Sequence, residues 1–183
     1  MKPLCTADLI PLFDQLFLSS TNTRLVSGDD EPIYLPADDA VPFNRVIFAH
    51  GFFESALHEI SHWCIAGPER RKQVDFGYWY VPDGRSAEQQ RAFELVEVKP
   101  QAVEWLLSVA CGRRFHISTD NLDGDPEAVE AGRRVFAQRV HAQAHQYLRE
   151  GLPPRAELLK AAFLEFYQRQ DMFSEHLFGL EQL

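Results

Sequence analysis

The sequence predicts an α+β fold: a single domain in which several helices pack with a small β-sheet, and a metal site lies on a central helix. Three observations predict it. Apolar residues recur at helical spacing in five separate stretches. Three short β-like pieces lie together between residues 24 and 48, bounded by Gly, Asp and Pro. Between them and the later helices stands His58-Glu59-Ile60-Ser61-His62. The 183 residues suit one domain with a sizeable core, and residues 1–183 are taken as one unit whose tail, 171–183, packs loosely.

The first helix is predicted over residues 7–18. Thr6 serves as its N-cap, and Leu9, Ile10, Phe13, Leu16 and Phe17 form its stripe, with Pro11 weakening the first turn. Arg24-Leu25-Val26, Ile33-Tyr34-Leu35 and Arg45-Val46-Ile47-Phe48 read as strands. The helix that follows carries Phe53, Leu57, Ile60, Trp63 and Cys64 on its apolar side and stops at Gly67-Pro68. On it, His58 and His62 lie one turn and about 6 Å apart along the axis, so both imidazoles reach one metal ion. Glu59 between them suits an acid, base or supporting role.

With 7 His in the chain, a pair at i, i+4 arises by chance roughly a quarter of the time. Requiring Glu after the first His lowers this to about 0.02, which makes the motif a signal. The inert alternative is two histidines flanking an apolar stripe. Glu54 lies about 12 Å along the axis from His62, too far to share an ion, and is placed at the surface or behind the ligands. His50, where strand meets helix, is weighed as a further ligand but reads better as a surface residue.

Arg70-Arg71-Lys72 is a basic cluster, ordinarily a solvated loop and otherwise a docking patch. Val74 to Val81, with Phe76, Tyr78, Trp79 and Tyr80, reads as a strand whose outer aromatics wall a groove. Ser86 and Gln89 resemble a capping box opening a helix to Cys111, which Pro100 should kink or divide. Its core face is Phe93, Val96, Pro100, Val103 and Leu107, and beside that face run Glu94, Glu97, Gln101 and Glu104. Glu104 is assigned to solvent, whereas Glu94 or Glu97 is placed to complete a metal site.

Residues 116–125 are polar. Their faint likeness to a calcium loop yields to Asp125 capping a helix that starts at Pro126 and ends near Glu150. Phe136, Val140, Tyr147 and Leu148 face inward there, and a second pair, His141 and His145, lacks an intervening Glu and is near chance. A last helix turns Leu158, Ala162 and Phe166 inward, and Phe173 and Phe178 anchor what remains.

The composition narrows the function classes. A net charge of -9 argues against binding nucleic acid through bulk charge. No apolar run approaches the roughly 20 residues that span a bilayer. Asp8, Pro11 and Asp14 interrupt any signal-peptide core. Three scattered cysteines, Cys5, Cys64 and Cys111, fit a reducing compartment, so the cytoplasm is expected. No membrane and no direct nucleic-acid partner are expected, and the oligomeric state is left open. The residues alone leave three readings: a metal-dependent oxidative enzyme, a zinc hydrolase (protease or nuclease) with Glu59 activating water, and a non-catalytic binder.

Four segments carry a resemblance. They are residues 45–52 (Arg45-Val46-Ile47-Phe48-Ala49-His50-Gly51-Phe52), 58–67 from His58 to Gly67, 74–80 from Val74 to Tyr80, and 96–102 from Val96 to Ala102. Together they resemble the elongation factor P hydroxylase family, over a stretch from Asp29 to Gln143. The resemblance implies a bacterial cytoplasmic enzyme that hydroxylates the lysine of elongation factor P after its extension with a β-lysyl group. It implies a two-His-one-carboxylate iron site using Fe(II) and dioxygen, at His58, His62 and preferably Glu97, with Glu94 in reserve. Acidic Glu59, Glu94 and Asp75 would suit the cationic arm, Tyr78 and Trp79 would flank its methylenes, and Arg70, Arg71 and Lys72 would meet the partner. Both histidines share a helix, unlike the His-x-Asp/Glu oxygenases built on β-sandwiches. A 2-oxoglutarate cosubstrate is therefore not carried over.

Overall fold

The computed structural model describes residues 4–77, 87–119 and 126–183. Its elements are α1 (Thr6–Thr21), β1 (Thr23–Ser27), β2 (Ile33–Leu35), β3 (Asn44–Phe48), α2 (Phe53–Ile65), α3 (Ala87–Cys111), α4 (Pro126–Glu150) and α5 (Pro154–Phe166). This is the expected α+β arrangement. The expected Ser86 and Asp125 caps, and the polar stretch 120–125, lie outside the described residues.

α1 buries Leu9, Phe13 and Phe17 on one face, four residues apart each time. It starts one residue earlier than expected: Cys5, not Thr6, is the N-cap, and no side chain caps it. It also runs on to Thr21, because Asn22 takes a left-handed conformation (φ 51°, ψ 42°) and its N–H closes on the Phe17 carbonyl. Asp14 fastens this helix to the sheet, its carboxylate accepting from Leu25 N–H at 3.1 Å and Arg24 Nε at 2.8 Å. The sheet has order β1-β3-β2, with β1 parallel and β2 antiparallel to the central β3. Leu25, Val46 and Phe48 point from it into the core.

α2 lies between the sheet and α3. Trp63 on its inner face meets Phe13 and Phe17 edge-on, at 5.1 and 4.8 Å between ring centroids. Arg155 of α5 closes its C-terminal end. One nitrogen, Nη2, donates to the carbonyls of Trp63 (2.8 Å), Cys64 (3.1 Å) and Ala66 (2.6 Å), and the guanidinium lies 4.6 Å from the Trp63 ring. The helix thus receives a cation where its unpaired carbonyls concentrate negative charge.

α3 is the buried strut of the molecule. Ala102, Val103, Trp105, Leu106, Leu107 and Ala110 are all inaccessible or nearly so, because α2, α4 and α5 surround it. It passes through Pro100 as one helix rather than two. A proline forfeits one hydrogen bond, and packing on several sides outweighs that loss. Gly112 ends it at φ +85°, with Arg113 N–H reaching back to Ser108 O at 2.8 Å.

Three further expectations need correction. Residues 74–77 are a tight turn, not a strand: Asp75 (φ 51°) and Phe76 (φ 57°) are left-handed. The Asp75 carboxylate accepts Tyr34 N–H at 3.1 Å and Phe76 stacks on the Tyr34 ring at 4.3 Å, and these long-range contacts override local strand propensity. In α5 the buried stripe is Ala156, Leu159 and Phe163, while Leu158 is 55% exposed. The apolar run there offers two adjacent stripes, and Arg155 docking on α2 selects between them. The tail is packed rather than loose. Phe178 is fully buried against Trp105 (5.2 Å) and Phe173 (5.6 Å), and its carbonyl accepts from His145 Nε2 at 2.9 Å.

Candidate metal centre

The antiparallel passage of α2 along α3 builds the site. His58 and His62 project from one face of α2, their rings 4.8 Å apart and inclined at 71°. Their Nε2 atoms approach to 3.2 Å. Opposite them Glu97 enters from α3, with Oε1 3.1 Å from His62 Nε2 and Oε2 3.6 Å from His58 Nε2. One donor atom from each of the three residues lies within 4.8 Å of the others.

Donors held about 2.1 Å from a common ion at right or tetrahedral angles stand roughly 3.0–3.4 Å from each other. The observed spacings fit a single ion. Neutral imidazoles and a carboxylate are also the ligand types that Fe(II) and Zn(II) accept.

The surroundings favour positive charge. Burial opposes charge on His58, but its hydrogen bond to Glu104, with the charges of Glu104, Glu97 and Glu59, pushes its pKa up to about 10. Burial likewise opposes charge on Glu97, yet His62, His58 and Gln101 hold its carboxyl down at about 2. Glu59 is raised, first by burial and then by Asp75 and Glu97, with the two histidines acting the other way. A cation seated among these groups would take over the role of the His58 proton.

Two supports were not legible as such from the sequence. Glu104, expected in solvent, has a side chain only 12% exposed, and its Oε2 lies 2.9 Å from His58 Nδ1. It falls inward because it sits seven residues after Glu97, two turns along the same face of α3. Between them Gln101 grips the 115–119 segment, donating to Ser118 O at 2.7 Å and accepting Ser118 N–H at 3.1 Å, while its amide also reaches Glu97 Oε2 at 3.4 Å. The row Glu97, Gln101, Glu104 at i, i+4, i+7 was the available signal.

The other site expectations divide. The charge of Asp75 reaches Glu59 and helps to raise it, while Asp75 itself is tied to Tyr34 N–H. Glu94 is buried but accepts from Gln90 at 3.3 Å and does not join the donor cluster. Tyr78 and Trp79 lie outside the described residues. Arg70 and Lys72 are exposed on a short turn and Arg71 is half-buried. Arg70 donates to Phe76 O at 3.0 Å and Lys72 pairs with Glu69 at 2.7 Å. His50 is exposed at φ 51° and stands apart from the cluster, and Glu54 pairs with Arg113. Burial pushes the Cys64 thiol up to about 12, so it stays a neutral thiol. A cleft of about 510 Å³ opens beside His62, lined by Ala66, Pro68, Glu69, Arg70, Lys99 and Tyr147 among others.

Two histidines of α2 and one glutamate of α3 could hold a metal ion, and they match in type the donors of the two-His-one-carboxylate class of metal enzyme. Comparison with known proteins narrows the class. A sequence model described as elongation factor P hydroxylase matches residues 12–178. A protein of Haemophilus influenzae named elongation factor P lysine hydroxylase is 56% identical over 164 residues, covering 90% of each chain. The chain belongs to the elongation factor P hydroxylase family, and is a hydroxylating enzyme of the oxidoreductase kind.

Proposed function

We propose that this protein is a metal-dependent hydroxylase that uses Fe(II) and dioxygen to hydroxylate the β-lysylated lysine of elongation factor P. The observation that carries the reading is the donor cluster of His58, His62 and Glu97 in a chain of this family. The 56% identical relative, whose name specifies lysine hydroxylation of elongation factor P, supports the substrate. Residues 1–183 act as one catalytic domain, working in the cytoplasm. No described helix is long and apolar enough to cross a membrane.

His58, His62 and Glu97 would hold the iron, which when bound supplies activation of dioxygen and insertion of one oxygen atom into a carbon–hydrogen bond. The remaining work belongs to the chain. Glu97 contributes the single negative charge of the donor set, leaving room for further ligands. Glu59, Asp75 and Glu94 favour the ammonium groups of the arm, and Glu59, with its raised pKa, is the group suited to move a proton. Asp75 is fixed by its bond to Tyr34 N–H, so its charge is pre-positioned. The cleft beside His62 has the volume for an extended lysine side chain, with Tyr147 and Pro68 offering its methylenes an apolar wall and Glu69 a carboxylate beside Arg70 and Lys99. Tyr78 and Trp79, outside the described residues, remain candidates to flank the arm on the strength of the family resemblance. Arg70, Arg71 and Lys72 meet the body of the protein substrate. A 2-oxoglutarate cosubstrate is not part of the reading.

Mass spectrometry of β-lysylated elongation factor P, incubated with protein, Fe(II), a reductant and air, tests it. A gain of one oxygen atom on the modified lysine is expected, abolished in His58→Ala and Glu97→Ala variants that keep the native far-UV spectrum. Wild-type rates in either variant, or stoichiometric zinc with hydrolytic activity in anaerobically purified protein, would overturn it.

A further inference from the structure

We propose that Glu104 is a positioning residue that locks His58 in the tautomer and ring orientation needed to bind the metal through Nε2. The inference rests on the metal reading above. An imidazole has two nitrogens, and only the one without a proton can ligate. A solvated neutral imidazole holds its proton mainly on Nε2, the atom that here faces His62 and Glu97. A carboxylate can only accept, so Glu104 Oε2 at 2.9 Å draws the proton to Nδ1 and frees the Nε2 lone pair.

The arrangement is held from the backbone. Glu104 stands on the fully packed half of α3, between Val103 and Trp105, both of which are buried. Glu97 reaches the same pair of histidines two turns earlier on the same helix. One rigid element therefore delivers both a ligand and the group that orients its neighbour, and rotation of the His58 ring would break the bond to Glu104 and the approach to Glu97 together.

Glu104→Ala and Glu104→Gln variants are titrated with Zn(II) and Co(II) against a chelator, with His58→Ala alongside. Glu104→Ala should bind metal about 10–100-fold more weakly. Glu104→Gln, whose amide oxygen still accepts from Nδ1–H, should recover part of that loss, and the Co(II) absorption spectrum should change in the alanine variant. Long-range 1H–15N spectra of the zinc-loaded wild-type protein should show His58 protonated on Nδ1. They serve as the independent readout if Glu104→Ala fails to fold. Affinity within twofold of wild type in Glu104→Ala, or His58 metallated on Nδ1, overturns the proposal. Unchanged affinity in His58→Ala would instead sink the metal reading, so the two failures are distinguishable.

Discussion

Replacing Arg155 by methionine isolates what holds the end of the histidine helix. Methionine keeps a flexible apolar stem against Trp63 and removes only the guanidinium. Three buried carbonyls, of Trp63, Cys64 and Ala66, lose their donor. Nη2 has two hydrogens, so the three contacts amount to two shared charge-assisted bonds, each worth about 1.5–3 kcal/mol. The cation's contact with Trp63 and with the helix C-terminus adds about 1 kcal/mol. Against this, burial already disfavours the charge and lowers the Arg155 pKa, and removal recovers that cost. The expected net loss is about 3 kcal/mol. For a chain of this size that lowers the melting temperature by roughly 6–12 °C. Urea denaturation of the metal-free protein at neutral pH measures it. A loss below about 1 kcal/mol with the native m-value retained would refute the reasoning, since it would mean that water satisfies carbonyls the structure buries.

Two other expectations concern stability. The folded pKa of His58, about 10, lies above its ordinary 6.5, so its contribution to the metal-free protein is complete below pH 6.5 and is lost as pH rises through 10. Glu97, at about 2 against 4.5, contributes above pH 4.5 and loses that as pH falls toward 2. Urea midpoints of the metal-free protein should decline from pH 6.5 to 9.5 more steeply than those of the zinc-loaded protein, and parallel curves would contradict the assignment. Phe178→Ala should cost about 3 kcal/mol, because a fully buried ring between Trp105 and Phe173 leaves a cavity. A thermal melt within 2 °C of wild type would show that the tail does not contribute to the core.

What the sequence disclosed was whatever depends on neighbours along the chain. The His58–His62 spacing and the stripe of α2 are local, and the helix appears with its bounds nearly as periodicity sets them. The partners across the site are not local. The residues alone leave Glu97 and Glu94 both open, with the resemblance preferring Glu97, until the crossing of α2 and α3 fixes the register, and then Glu97 enters while Glu94 pairs with Gln90. Glu104 read as solvated because acidic edges of helices usually are. A short-range pattern cannot report that α3 is enclosed on several sides. The 74–77 segment shows the opposite failure. Its local preference for strand is real, but Tyr34, some forty residues earlier, supplies a hydrogen bond and a stacking surface that only a turn can meet.

The placement of Glu97, Gln101 and Glu104 on one helix makes their numbering a ruler. Each residue of an α-helix turns about 100°, so inserting or deleting one position between 97 and 104 swings one carboxylate far off the shared face. Side chains nearby can change identity and leave the ruler intact. Its graduation cannot change, and the segment is constrained in length more tightly than in composition.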